Sequence, residues 1–85
     1  MDDTKVLIKL IVPEIDSAYD VFLPVGRKIG SIIELLNKVL KDMSDGDFKI
    51  SNKRCLYNRY NKTRYNFNSM VYETDIRNDT ILVLI

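Results

Sequence analysis

Histidine is absent from the 85 residues, and cysteine occurs once, as Cys55. A single thiol excludes an internal disulfide. Without imidazole, a zinc site of the usual Cys/His type has too few ligands, and histidine-based acid–base catalysis has no base. Glycine occurs three times, at Gly26, Gly30 and Gly46, and none belongs to a Gly-rich phosphate loop. A dominant charge is missing too: thirteen Lys and Arg stand against twelve Asp and Glu, for a net +1. That balance exerts no general pull toward nucleic acid or membrane. The apolar run near the start is broken by Lys5 and Lys9 and is too short to span a bilayer. The MDDTK before it is acidic where a secretory leader is basic. These absences lead us to expect a cytoplasmic, non-catalytic protein with no cofactor, no metal and no membrane insertion. Two small motifs do not change that. Arg54 beside Cys55 favours the thiolate, but no histidine is available as base, and a half-buried structural residue is the plainer reading. The DGD at 45–47 lacks the rest of a calcium loop.

Hydrophobic residues make up 46% and charged residues 29% of the chain, the balance of an ordinary globular domain. Residues 1–85 read as a single domain, with residues 1–4 expected to be flexible. In KVLIKLIV (5–12), period-two alternation puts Val6, Ile8, Leu10 and Val12 on one face and Lys5, Leu7, Lys9 and Ile11 on the other. PEIDS (13–17) carries turn chemistry. YDVFLP (19–24) then predicts a second strand, with Tyr19, Val21 and Leu23 opposed to Asp20 and Phe22, closing an antiparallel hairpin. From residue 28 to 43 the period changes. Ile29, Ile32, Ile33, Leu36, Val39, Leu40 and Met43 recur at spacings of three and four, predicting one amphipathic helix whose start has only weak capping residues. SDGD (44–47) ends it. Residues 54–58 and 64–67 predict two short strands around a tight connection. Ile76 is the expected core anchor of the 69–77 link, and Asn78-Asp79 reads as a turn before a last strand over 80–85. That strand is expected at the centre of the sheet, beside the first. Ile81, Val83 and Ile85 are expected under the helix, with Leu82 and Leu84 facing out.

This pattern resembles the ubiquitin-like β-grasp superfamily. The residues that carry the resemblance are KVLIKLIV, DVFLPVGRKIGSIIELLNKVL and the closing YETDIRNDTILVLI. Within the last of these, Tyr72, Ile76, Thr80, Ile81 and Val83 fill the family's spacing. The resemblance implies an α+β fold in which a mixed four- to five-stranded sheet packs on one α-helix. In character the chain is similar to the YukD/EsaB-type small bacterial proteins associated with type VII secretion. That implies a protein–protein interaction module, an adaptor or regulatory component of a type VII-like system, with a secretion component as partner. The sequence departs from the conjugating members, which act through a Gly-Gly tail. It ends on Leu84-Ile85, so conjugation through the C-terminus is not expected.

Two surfaces remain as candidate sites. Leu7, Ile11, Phe22, Leu82 and Leu84 are expected to form an apolar outer sheet face, where the resemblance also places a docking surface. It reads as a docking or homodimer surface, or else as a face covered by residues 48–53 or 65–72 or serving no role. The second is charge. Lys49, Lys53, Arg54, Arg59, Lys62 and Arg64 fall in a stretch without an acid and interleave with Tyr57, Tyr60, Tyr65 and Phe67. Cations on phosphates with rings under bases would suit single-stranded nucleic acid, which makes the 49–67 segment the alternative functional reading. Solvated edge charge and an acidic protein partner explain the same run.

Overall fold

The computed structural model describes residues 4–85. The expectation for the first four residues lies, for 1–3, outside that range. Thr4 offers its carbonyl to the Val25 N–H at 2.9 Å. Strands β1 (Lys5–Val12) and β2 (Ser17–Pro24) form the antiparallel hairpin. A 3-10 turn over Pro13–Ile15 joins them, with Asp16 in the left-handed region at φ 50°. Helix α1 spans Ile29–Met43, β3 spans Leu56–Asn58, a second 3-10 turn covers Val71–Glu73, and β4 spans Ile81–Leu84. The sheet order is β2-β1-β4-β3, with β4 parallel to β1 and antiparallel to β3. The last strand is therefore interior, as the sequence pattern requires.

β1 keeps the phase that its lysines impose. Ile8, Leu10 and Val12 are buried beneath α1, together with Leu23 of β2, and Val6, Tyr19 and Val21 pack against the edge of this core. The helix presents Ile29, Ile32, Ile33, Leu36 and Leu40 to the sheet, whereas Val39 and Met43, expected inside, lie on its exposed flank. Asn37 takes the opposite course and is buried. Its side-chain amide donates to the Ser51 carbonyl at 3.1 Å and accepts from the Ser51 N–H at 3.2 Å, holding the loop after the helix as a neighbouring strand would.

The weak N-terminal signal of α1 has a structural cause. No side chain caps it. Instead the Ile29 N–H donates to the Ser69 carbonyl and the Gly30 N–H to the Phe67 carbonyl, at 2.9 and 3.0 Å. Backbone from a distant segment thus satisfies donors that a Ser or Asp usually serves. A Cβ on Gly30 would stand 3.3 Å from the Phe67 oxygen, so glycine here permits the close approach.

Two further expectations need correction. Residues 64–67 form no strand. β3 is only three residues long, and the returning chain touches it through one bridge, Tyr57 to Arg64, flanked by the Tyr65 N–H to Leu56 carbonyl bond. The second correction concerns the faces of β4. Leu82 and Leu84 are fully buried under α1, while Ile81 is 40% exposed and Ile85 59%. Every residue of β4 is apolar, so its own sequence carries no phase. The phase comes from the preceding turn, where the Asp79 N–H donates to the Leu7 carbonyl (2.8 Å) and the Lys9 N–H to the Thr80 carbonyl (3.0 Å). That register sets Leu82 beside the buried Leu10.

Candidate docking surface on the outer sheet face

Pairing across the sheet fixes what the face away from α1 displays. Leu7 lies opposite Phe22. Lys9 lies between Asp20 and Ile81, and Ile11 between Ala18 and Val83, with Tyr57 beyond Val83. Of the five residues expected here, Leu7, Ile11 and Phe22 are on this face; Leu82 and Leu84 are in the core. Their places are taken by Ile81, Val83 and Ile85, which the sequence put on the wrong side. Because β4 is apolar on both faces, the inversion exchanges residues without changing the character of the surface.

Among the described residues nothing covers this face. Leu7 is 37% exposed and Phe22 57%. The proposed covers go elsewhere: Phe48 is buried in the core, and the 67–72 segment bonds to residues 25–30. At the β2 side both lysines are engaged by neighbours. Lys9 Nζ stands 3.7 Å from Asp20, an exposed pair worth at most about 1 kcal/mol, and the Lys5 ammonium lies 4.9 Å above the Phe22 ring. At the other side, Tyr57, Asn58, Arg59, Lys62, Val83 and Ile85 line an open hollow.

The six basic residues do not form one patch. Arg54 is buried, and its guanidinium donates to Glu14 Oε1 at 2.7 Å and to the Lys49 carbonyl while stacking 4.2 Å from the centre of the Phe48 ring. It latches the hairpin turn to the loop before β3 and is not available to a ligand. The Lys49 N–H also donates to Glu14, and this bond, with Arg54 beside it, holds the Glu14 carboxyl below its usual range. Lys49 and Lys53 lie in the loop entering β3, whereas Arg59 and Lys62 follow it. Tyr65 is likewise removed from the aromatic set. It is buried, its hydroxyl donates to Asp75 at 2.6 Å and accepts from Asn58 at 3.1 Å, and burial pushes its pKa up to about 12. The Glu14–Arg54 latch joins residues forty apart, and no local signal in the sequence announces it.

Among the described residues no helix is long and apolar enough to cross a membrane. The chain matches no family model and, at significant similarity, no curated protein. Solved structures do match. A chain of the MycP5-free ESX-5 inner membrane complex superposes with TM-score 0.79 at 14% identity over 96% of this chain, which spans 21% of that one. The EccD5 ubiquitin-like domain from Mycobacterium xenopi gives 0.76 at 18% identity, covering 95% of this chain and 92% of the other. A ubiquitin-like domain from Arabidopsis thaliana gives 0.69 at 12% identity, covering 95% and 76%. The fold is ubiquitin-like: one helix on a four-stranded mixed sheet.

Proposed function

We propose that this ubiquitin-like domain is a non-catalytic protein–protein interaction module, a cytoplasmic adaptor or regulatory component of a type VII-like secretion system that docks through its outer sheet face. The observation that carries the reading is the uncovered apolar surface shared by β1, β2 and β4, with Leu7, Phe22, Ile81 and Ile85 all open to solvent. These four large apolar side chains are grouped on one sheet face around the Lys9–Asp20 pair, and an apolar grouping bordered by polar residues is the kind of surface that marks an interaction site. The similarity to the EccD5 domain and to a chain of the ESX-5 complex supports a secretion component as the partner class. The nucleic-acid reading loses Arg54 and Tyr65, both buried, and with them the continuity of its charged and aromatic run.

The test is photocrosslinking in the native host from a benzoylphenylalanine at position 81. Covalent adducts to a protein of the secretion machinery are expected, and they should vanish in the Val83→Glu variant while cooperative unfolding persists. Adducts only to nucleic acid, or no adduct above the level obtained from position 34 on the far side of α1, would overturn the proposal.

A further inference from the structure

We propose that β2 pairs edge to edge with β2 of a second copy of this chain, antiparallel about a two-fold axis through Val21, so that two sheets join into one. This inference is independent of docking through the outer face. The hydrogen bonds of β1 decide which groups β2 has to offer. Leu7 and Lys9 turn their backbone toward β4: the Leu7 carbonyl accepts from the Asp79 N–H, and the Lys9 N–H donates to the Thr80 carbonyl. Val6, Ile8 and Leu10 therefore turn theirs toward β2, where they lie opposite Leu23, Val21 and Tyr19. The bond from the Val25 N–H to the Thr4 carbonyl continues the same alternation. The backbone groups of Ala18, Asp20 and Phe22 are left pointing away from the sheet, and among the described residues no strand lies beyond them. The two edges of the sheet are unequal. β3 is three residues long, whereas β2 has eight, carries no lysine and places its proline last. A long edge without a blocking lysine or a central proline is a template for another strand.

The side chains of β2 complement those of a second β2 in this register. With the axis at Val21, Asp20 of each copy lies opposite Phe22 of the other, Tyr19 opposite Leu23, and Ala18 opposite Pro24. Asp20 and Phe22 then exchange N–H and C=O bonds in reciprocal pairs. Charge favours the same register. The Lys5 ammonium stands 4.9 Å from the centre of the Phe22 ring, so each Asp20 meets a ring that carries a cation. Moving the axis to Asp20 would instead set the two carboxylates opposite each other, which is unfavourable. On the inner face Tyr19 and Val21 are only half-buried in the single chain. Above them α1 exposes Leu35, Val39 and Met43 on the flank opposite the buried Asn37, so an apolar trough borders the seam. A contact between like edges closes on itself, whereas β2 against β3 would propagate head to tail. The axis stands normal to the sheet, so both outer faces look the same way. Edge pairing buries less than a standard interface, so the dimer is reversible and concentration-dependent.

Sedimentation equilibrium of the full chain from micromolar to millimolar concentration should show a monomer–dimer transition. Ala18→Pro removes an outward N–H from each copy without touching the β1 ladder, and should raise the dimer Kd about tenfold or more, with thermal unfolding confirming that the hairpin survives. Asp20→Lys should also weaken the dimer, and adding Lys5→Glu to it should restore association. Disulfide trapping reads the register directly. In a Cys55→Ser background, Val21→Cys should cross-link to its counterpart under mild oxidation, because non-hydrogen-bonded partners on antiparallel strands stand about 4.5 Å apart. Ala18→Cys should not, since its counterpart lies about 20 Å along the seam. Monomers at every concentration would overturn the proposal, as would a dimer indifferent to Ala18→Pro. Cross-linking from Asp20→Cys or Val83→Cys but not from Val21→Cys would overturn it too, assigning self-association to another register or to the outer face. A monomer that still gives adducts from position 81 would leave the docking role standing.

Discussion

Truncating Leu82 and Ile81 separately distinguishes the two faces of β4 by energy. Leu82 is fully buried in a strand hydrogen-bonded on both sides, next to Leu10. Leu82→Ala removes roughly three methylene equivalents, about 2.4 kcal/mol of transfer free energy. β1 and β3 flank the site and cannot close in, so a cavity term adds to this and the total should be about 3–4 kcal/mol. For a domain of this size, whose whole stability is on the order of 4–13 kcal/mol, that is a large share, equivalent to a fall in Tm of roughly 12–30 °C. Ile81 is 40% exposed on the solvent side, so Ile81→Ala should cost about 1 kcal/mol or less and leave Tm within roughly 8 °C. Urea unfolding followed by circular dichroism measures both values, and an unchanged m-value licenses the comparison. If Ile81→Ala costs as much as Leu82→Ala, the register of β4 on β1 described above is wrong, and the docking surface with it.

Charge insertion should follow the same division: Val83→Glu remains folded with reduced partner binding, whereas Leu84→Glu fails to give a cooperative transition in thermal unfolding. Asn37→Ala should cost about 1–3 kcal/mol in urea titration, because it strips the Ser51 N–H and carbonyl of their partners. Glu14 has a folded pKa below its ordinary 4.5, so its contribution is present above that pH and is lost as pH falls below it. The stability gap between the parent and Glu14→Gln, measured by urea unfolding, should therefore be widest near neutrality and close in acid. Tyr65 behaves oppositely at the alkaline end: with its pKa raised from 10.0 to about 12, stability falls across that interval because the unfolded chain ionises first. Tyr65→Phe should flatten this fall, and tyrosinate absorbance of the parent should show one of the five tyrosines titrating late.

The hairpin and the helix were legible in the sequence because polar residues and turn chemistry fix their patterns, and the interior placement of β4 was legible because so apolar a strand needs a partner on each side. Lys5, Lys9 and Asp20 mark the outer side of the first two strands. Glu34, Lys38 and Lys41 mark the outer side of α1. β4 has no such marker, so its faces depended on a hydrogen-bonded turn docking against β1, which only the folded chain reveals. The segment from Phe48 to Phe67 was obscure for a different reason. Its organisation relies on pairings distant in sequence: Arg54 with Glu14, Asn37 with Ser51, and the Phe67 and Ser69 carbonyls with the start of α1. Local pattern cannot tell a solvated arginine from one that latches two loops. The basic run accordingly read as one patch when it is a structural cation plus separate exposed charges.

The parallel seam between β1 and β4 has a consequence for synthesis. The Asn78 side chain that meets the Leu7 N–H belongs to a residue 71 positions downstream. While the ribosome is still producing that stretch, the hairpin and helix can assemble, but one border of β1 has nothing to bond with. The sheet closes only when residues 78–84 leave the exit tunnel, and until then an apolar ribbon stands open to any extended chain nearby. Cells that slow elongation before residues 78–84 emerge, or that deplete nascent-chain chaperones, should therefore accumulate this protein as aggregate more readily than a helical bundle of equal length.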